Sequence, residues 1–181
     1  YNSVIVNPDK DVSDDILNDS DEDLNINNND TPNETPVTPP KPKPKPTRPS
    51  YNYIGYIEIP SINIKKGLVD KNSVYNNVNY NVQIMKESSY PDVDKGLFIL
   101  AAHNGTCYNC YFKHLDNIKN NDLIYVNYKN KKYTYKVTKK YTVNKTGYVS
   151  IYRNNDVTSL ALVTCTWGTK NKQTVVIAEL I

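Results

Sequence analysis

LFILAAHNG, residues 97–105, and SLALVTCTW, residues 159–167, are the two stretches on which the fold turns. Each carries a short continuous apolar run, too brief for a helix with a buried stripe and the right length for a strand covered on both faces. Each ends in a reactive side chain, His103 in the first and Cys165 in the second. Strand alternation places Ala161, Val163 and Cys165 on one face, with the thiol at the strand's end. If the two strands run parallel and adjacent, imidazole and thiol meet. A cysteine needs such a neighbour, because an unperturbed thiol, with a pKa of about 8.5, is only a few per cent thiolate at neutral pH. A protonated imidazole stabilises the thiolate and can pass its proton to a leaving amine.

Strand patterns extend outward from these two blocks. Residues 53–59 alternate aromatic and β-branched side chains before Pro60, and residues 123–128, 132–138 and 141–144 form a Tyr-, Val- and Ile-rich meander with lysine-rich turns. Residues 174–180 supply a last strand after a short loop holding Gly168. Helical patterning is weak and confined to residues 73–77 and 111–118. The expected fold is all-β, a closed barrel.

The first fifty residues read differently. Positions 9–34 hold ten acidic side chains against a single lysine, with few large apolar groups, so this segment cannot bury enough to offset its ordering entropy. TPPKPKPKPTRP, residues 38–49, alternates Pro with Lys and is expected to be an extended polyproline II spacer. We therefore expect a disordered acidic tail and Pro/Lys-rich linker over residues 1–50 and one folded domain over residues 51–181. The latter carries seventeen basic and nine acidic groups, a net charge of +8 that suits an anionic setting such as a cell envelope. No nucleic-acid-binding motif accompanies that charge, so nucleic acid is not an expected partner. No run of about 18 apolar residues spans a membrane. The start at Tyr1 instead of Met leads us to expect a leader or membrane anchor upstream.

From IGYIEIPSINI (54–64) to the C-terminus the sequence resembles the sortases. LAAHNG (100–105) is similar to their strand ending in the catalytic histidine, and LVTC (162–165) matches the LxTC block around their nucleophile. The resemblance implies an eight-stranded β-barrel with short helices and a two-step acyl transfer of the class A, D or E type that needs no cofactor. Cys165 would attack a Thr carbonyl in an LPxTG-like sorting signal, with His103 as proton donor and acceptor, and the thioester would pass to an amine of a peptidoglycan precursor or a pilin. Ala161 and Thr164, beside the nucleophile, would contact substrate. The implied location is the outer face of a Gram-positive membrane, with the segment upstream as anchor.

One departure from the family pattern stands out. Aligning QTVVIAEL (173–180) on the last strand puts Gln173 where sortases carry an arginine that helps hold substrate and oxyanion. Oxyanion donors are each worth about 3 kcal/mol, or at least 100-fold in rate. Arg153, twelve positions before the nucleophile, is the expected replacement, with Lys170 and Lys172 as weaker candidates.

The remaining cysteines leave alternatives open. His103, Cys107, Cys110 and His114 form an H-x3-C-x2-C-x3-H cluster that fits a four-ligand zinc set, while Cys107 and Cys110 are also spaced for a disulfide. Besides the transpeptidase, two readings therefore remain: a sortase-like barrel that binds sorting peptides with little catalysis, and a zinc-stabilised surface module.

Overall fold

The computed structural model of the protein describes residues 2–6 and 50–181. The acidic stretch and the Pro-Lys spacer lie outside the described residues. Within the described part ten strands are present: β1 (Asn2–Val6), β2 (Tyr53–Ile59), β3 (Ile64–Val69), β4 (Gln83–Ile84), β5 (Leu97–Ala101), β6 (Leu123–Tyr128), β7 (Lys131–Asn144), β8 (Val149–Arg153), β9 (Ser159–Cys165) and β10 (Lys172–Leu180). Eight of them form one sheet in the order β3-β2-β6-β7-β10-β9-β5-β4. The edge strands β3 and β4 lie against each other, so the sheet nearly closes into a barrel. This is the expected all-β, eight-stranded architecture.

The pairing follows from the sequence pattern. β7 reads KKYTYKVTKKYTVN, and its alternation turns Tyr133, Tyr135 and Val137 inward while Lys132, Lys136 and Thr138 stay exposed. Residues 132–138 and 141–144, expected as two strands, are one strand here. The break in their pattern corresponds to a bulge, where the register against β10 shifts between Ile177 and Ala178. The hairpin from β2 to β3 turns at Asn63, whose left-handed backbone (φ 54°) suits an Asn. The helical expectation for residues 73–77 and 111–118 is corrected. Turns take their place, with one 3-10 turn at Leu115–Asn117, because neither stretch has enough apolar periodicity to bury a helical face.

The sheet separates two apolar layers. The barrel interior gathers Ile57, Ile59, Phe98, Leu100, Ile124, Val126, Leu160, Leu162 and Val176, among others. Across the wall formed by β5, β9 and β10, a second cluster joins Leu97, Ile99, Ala101, Ala161, Val163, Val175 and Ile177 to Met85, Val149 and Ile151. β5 and β9 are therefore apolar on both faces, as their unbroken hydrophobic runs require.

β8 covers the second layer through Val149 and Ile151 and pairs antiparallel with β1, from Asn2 opposite Arg153 to Val6 opposite Val149. β1 is the one described segment of the region expected to be a tail. Its NSVIV sequence is β-branched and lies before the acidic run.

Leu162 is wholly buried in the barrel interior, so Leu162→Ala should cost about 3 kcal/mol. Tyr108→Ala, at a fully exposed site, should stay within about 0.5 kcal/mol of wild type. Urea denaturation checks both, and equal losses would contradict the assignment of the core.

Candidate active site

The candidate site forms where β5 and β9 end. The two strands are parallel neighbours, paired from Leu97 opposite Ser159 to Ala101 opposite Val163. The ladder continues past that point, with the Ala102 amide donating to the Val163 carbonyl (3.3 Å) and the Thr164 hydroxyl to the Ala102 carbonyl (2.7 Å). His103 and Cys165 each follow two residues after the last paired position. By alternation both belong to the face of the second apolar layer. Cys165 is half-buried and is the free thiol of the chain. The ring Nε2 of His103 lies 3.1 Å from Asn79 Oδ1, and its carbonyl accepts the Phe112 amide at 3.0 Å. Asn79 thus contacts the imidazole while Phe112 holds the backbone of His103, which follows the strand paired with β9.

Gln173 completes this face from the other side. It lies opposite Cys165 on β9 and opposite Val143 on β7, so its side chain shares the face of the thiol. It is only 3 % exposed, and its Oε1 has no hydrogen-bond partner. An unsatisfied buried acceptor costs about 1–3 kcal/mol.

The other anticipated residues are placed elsewhere. Arg153 is not brought to the site. Its Nη1 donates to the carbonyls of Lys95 (3.0 Å), Gly96 (3.3 Å) and Val157 (3.1 Å), and its Nη2 to Lys95 (3.0 Å). Those carbonyls precede β5 and β9, so Arg153 staples the opposite end of the strand pair, about 20 Å of extended chain from Cys165. Burial pulls its guanidinium below the ordinary pKa. Ala161 and Thr164 do not face a ligand, because Ala161 is packed in the second layer and Thr164 spends its hydroxyl on Ala102. Lys170 and Lys172 are exposed on and beside the β9–β10 turn. Lys172, one position before Gln173, points away from the thiol face by strand alternation.

Cys107 and Cys110 form a disulfide, which leaves neither thiolate for a metal. His114 is exposed, and among the described residues no group of three or more His, Cys, Asp or Glu side chains is arranged around a metal position. The disulfide closes the loop that follows His103. Gly105 there has φ +143°, and a side chain at that position would meet Cys110 Sγ at 3.1 Å, so the glycine of the HNG triplet is needed for the loop to pass. Asn109 in this loop donates to the Asn79 carbonyl (2.7 Å), tying the loop to the residue that contacts His103.

Asn79, Asn104 and Asp116 escape sequence reasoning. Each acts on partners distant in the chain, and an Asn or Asp in a polar loop gives no periodic signal. The neighbour of His103 within HNG was the one available hint, because Asn104 Nδ2 donates to the Cys165 carbonyl at 2.9 Å.

A family profile described as a sortase domain matches residues 57–181. Sortase C1 from Streptococcus agalactiae is 30 % identical, with a TM-score of 0.61 over 71 % of this chain and 67 % of that one. Sortase C from Clostridium perfringens is 26 % identical, with a TM-score of 0.57 over 72 % of this chain and 70 % of that one. A lid mutant of sortase A from Corynebacterium diphtheriae is 18 % identical and superposes with a TM-score of 0.62 over 75 % of this chain and 74 % of that one, a likeness of fold. No curated protein sequence gives a significant match.

Thiol counting checks the cysteine assignment. Denatured without reductant, the protein should take one iodoacetamide label, on Cys165, and after reduction three. Labelling of Cys107 or Cys110 before reduction would contradict the disulfide.

Proposed function

Because the chain belongs to the sortase family of cysteine transpeptidases, we propose that Cys165 is its nucleophile and His103 its acid/base, acting on an LPxTG-like sorting signal. The observation that supports this most is the parallel register of β5 and β9, which ends both strands in reactive side chains on one face. In the proposed reaction the Cys165 thiolate attacks the carbonyl carbon of the Thr residue, and the oxygen takes the negative charge. His103 gives its proton to the nitrogen of the departing Gly as the peptide bond breaks, leaving an acyl thioester on Cys165. An amine from a peptidoglycan precursor or a pilin attacks that thioester, loses a proton to His103, and releases the thiol. A segment upstream of this chain would hold the domain at the outer face of the membrane, and its net positive charge suits the anionic polymers there.

Gln173 is the group proposed to hold the reacting carbonyl. It shares the thiol's face, and its amide offers donors to an oxyanion while its unpartnered Oε1 can accept from a substrate amide. The cost of keeping that acceptor unpaired is then offset when substrate binds. A neutral amide supplies less stabilisation to a negative oxygen than a guanidinium does. That substitution also favours a second reading, a sortase-like barrel that binds sorting peptides and turns them over weakly.

One experiment separates the two. Incubation with an LPxTG-type peptide should give an acyl adduct mapped by mass spectrometry to Cys165 and absent in Cys165→Ala; peptide binding without an adduct would favour the second reading. Gln173→Leu removes the buried unpaired acceptor at similar volume. It should raise stability by about 1 kcal/mol while slowing acylation about tenfold or more. Acylation at the wild-type rate would remove Gln173 from the mechanism.

A further inference from the structure

We propose that Asp116 is a positioning residue that, through Asn104, fixes the end of the nucleophile strand from the barrel-mouth side. The inference rests on Cys165 being the nucleophile.

Asp116 belongs to the 3-10 turn Leu115–Asn117 between β5 and β6. The turn is anchored from below by Leu115, wholly buried in the barrel core, and from the side by Lys140. Lys140 Nζ donates to the carbonyls of Asp116 (2.6 Å) and Ile118 (2.8 Å). Held in this way, the carboxylate accepts from three elements. Oδ2 takes Asn104 Nδ2 at 2.9 Å and the Trp167 amide at 3.2 Å, and Oδ1 takes the Thr174 hydroxyl at 2.8 Å.

These bonds converge on the residues at and after the nucleophile. Asn104 gives its second amide hydrogen to the Cys165 carbonyl at 2.9 Å. The Thr174 hydroxyl lies 2.9 Å from the Thr166 hydroxyl. Since Thr174 spends its only proton on the carboxylate, Thr166 is the donor to Thr174. Cys165 is therefore tied through its carbonyl, Thr166 through its side chain and Trp167 through its amide, and all three ties lead to Asp116. The turn that follows is closed by its own bonds, from the Thr166 amide to the Lys172 carbonyl (2.9 Å) and from the Thr169 amide and hydroxyl to the Thr166 carbonyl (3.3 and 3.1 Å), and the ties to Asp116 add an anchor outside it.

The orientation of Asn104 follows from the same contacts. Flipping its amide would set an oxygen against both the carboxylate and the Cys165 carbonyl. The observed orientation instead leaves Oδ1 buried without a partner, a cost the two donated bonds offset. Thr164 and Thr174 alternate with Cys165 and Gln173 along their strands, so this network works from the face opposite the thiol. Asp116 thus holds the backbone that carries Cys165 from the face opposite the thiol.

The test compares full-length wild type with Asp116→Asn and Asn104→Ala. Asp116→Asn keeps the size but loses one acceptor. Asn104→Ala keeps the bonds from Thr174 and Trp167 to Asp116 but releases the Cys165 carbonyl. Both variants should acylate an LPxTG-type peptide with kcat lowered about 10- to 100-fold and KM within about twofold, the mark of misplacement in preference to lost binding. Both should also slow alkylation of Cys165 by iodoacetamide, a readout that needs no peptide. If wild type makes no adduct with peptide yet both variants alkylate more slowly, the substrate reading fails and the positioning role stands. If Asp116→Asn does not fold, Asn104→Ala decides. Wild-type kcat and alkylation in the folded variants, or a loss confined to KM, would overturn the proposal.

Discussion

The parallel pairing of β5 with β9 sets the terms for the rest of the molecule. Parallel neighbours cannot be joined by a tight hairpin, so the chain between them must leave the pair, build β6, β7 and β8, and return in the same direction. Both strands are covered on two faces, which explains why they are the most apolar runs in the sequence and why a second apolar layer, with β8 in it, lies outside the barrel. Running in one direction, the strands also finish at one edge. A histidine just past the first and a cysteine at the end of the second then lie at the same end of the strand pair, although about sixty residues separate them in the chain.

The two ends of this strand pair are finished in opposite ways. At the entry end Arg153 spends its guanidinium on the backbone carbonyls that precede β5 and β9, a structural use of the charge. At the exit end the thiol face carries Gln173 with an acceptor left unpaired, while the barrel-mouth face carries a network of bonds to Asp116 in which Asn104 Oδ1 is also left unpaired. Among the described residues, buried polar atoms without a partner also occur at Asn81, Tyr135 and Arg153, and Gln173 Oε1 is the one that lies opposite Cys165 on the thiol face.

Residues 53–59 and 123–128 were legible as strands to the residue, since aromatic and β-branched alternation is a strong local signal. So was the direction of β5 and β9, through the chemistry at their ends. β3 was missed because Lys65, Lys66 and Gly67 interrupt its apolar alternation, and β4 is too short to carry any. Gln173 was singled out by the resemblance, through the alignment of QTVVIAEL on the last sortase strand, and the register of β10 sets it opposite Cys165. Arg153 could not: a charge states what a residue can bind, but only the fold states which carbonyls are within reach. Asp116 and Asn104 were illegible for a related reason, because their partners lie 12 to 61 residues away and leave no spacing to read.

The central claim is that the imidazole of His103 and the thiol of Cys165 sit side by side at one edge of the sheet. Treatment with 1,3-dibromoacetone, which alkylates a thiol and then bridges to a second nucleophile within a three-carbon span, tests it directly. Peptide mapping should find Cys165 joined to His103, and the bridge should be absent from His103→Ala. A product in which Cys165 carries the reagent alone, or is joined to His114, would contradict the account.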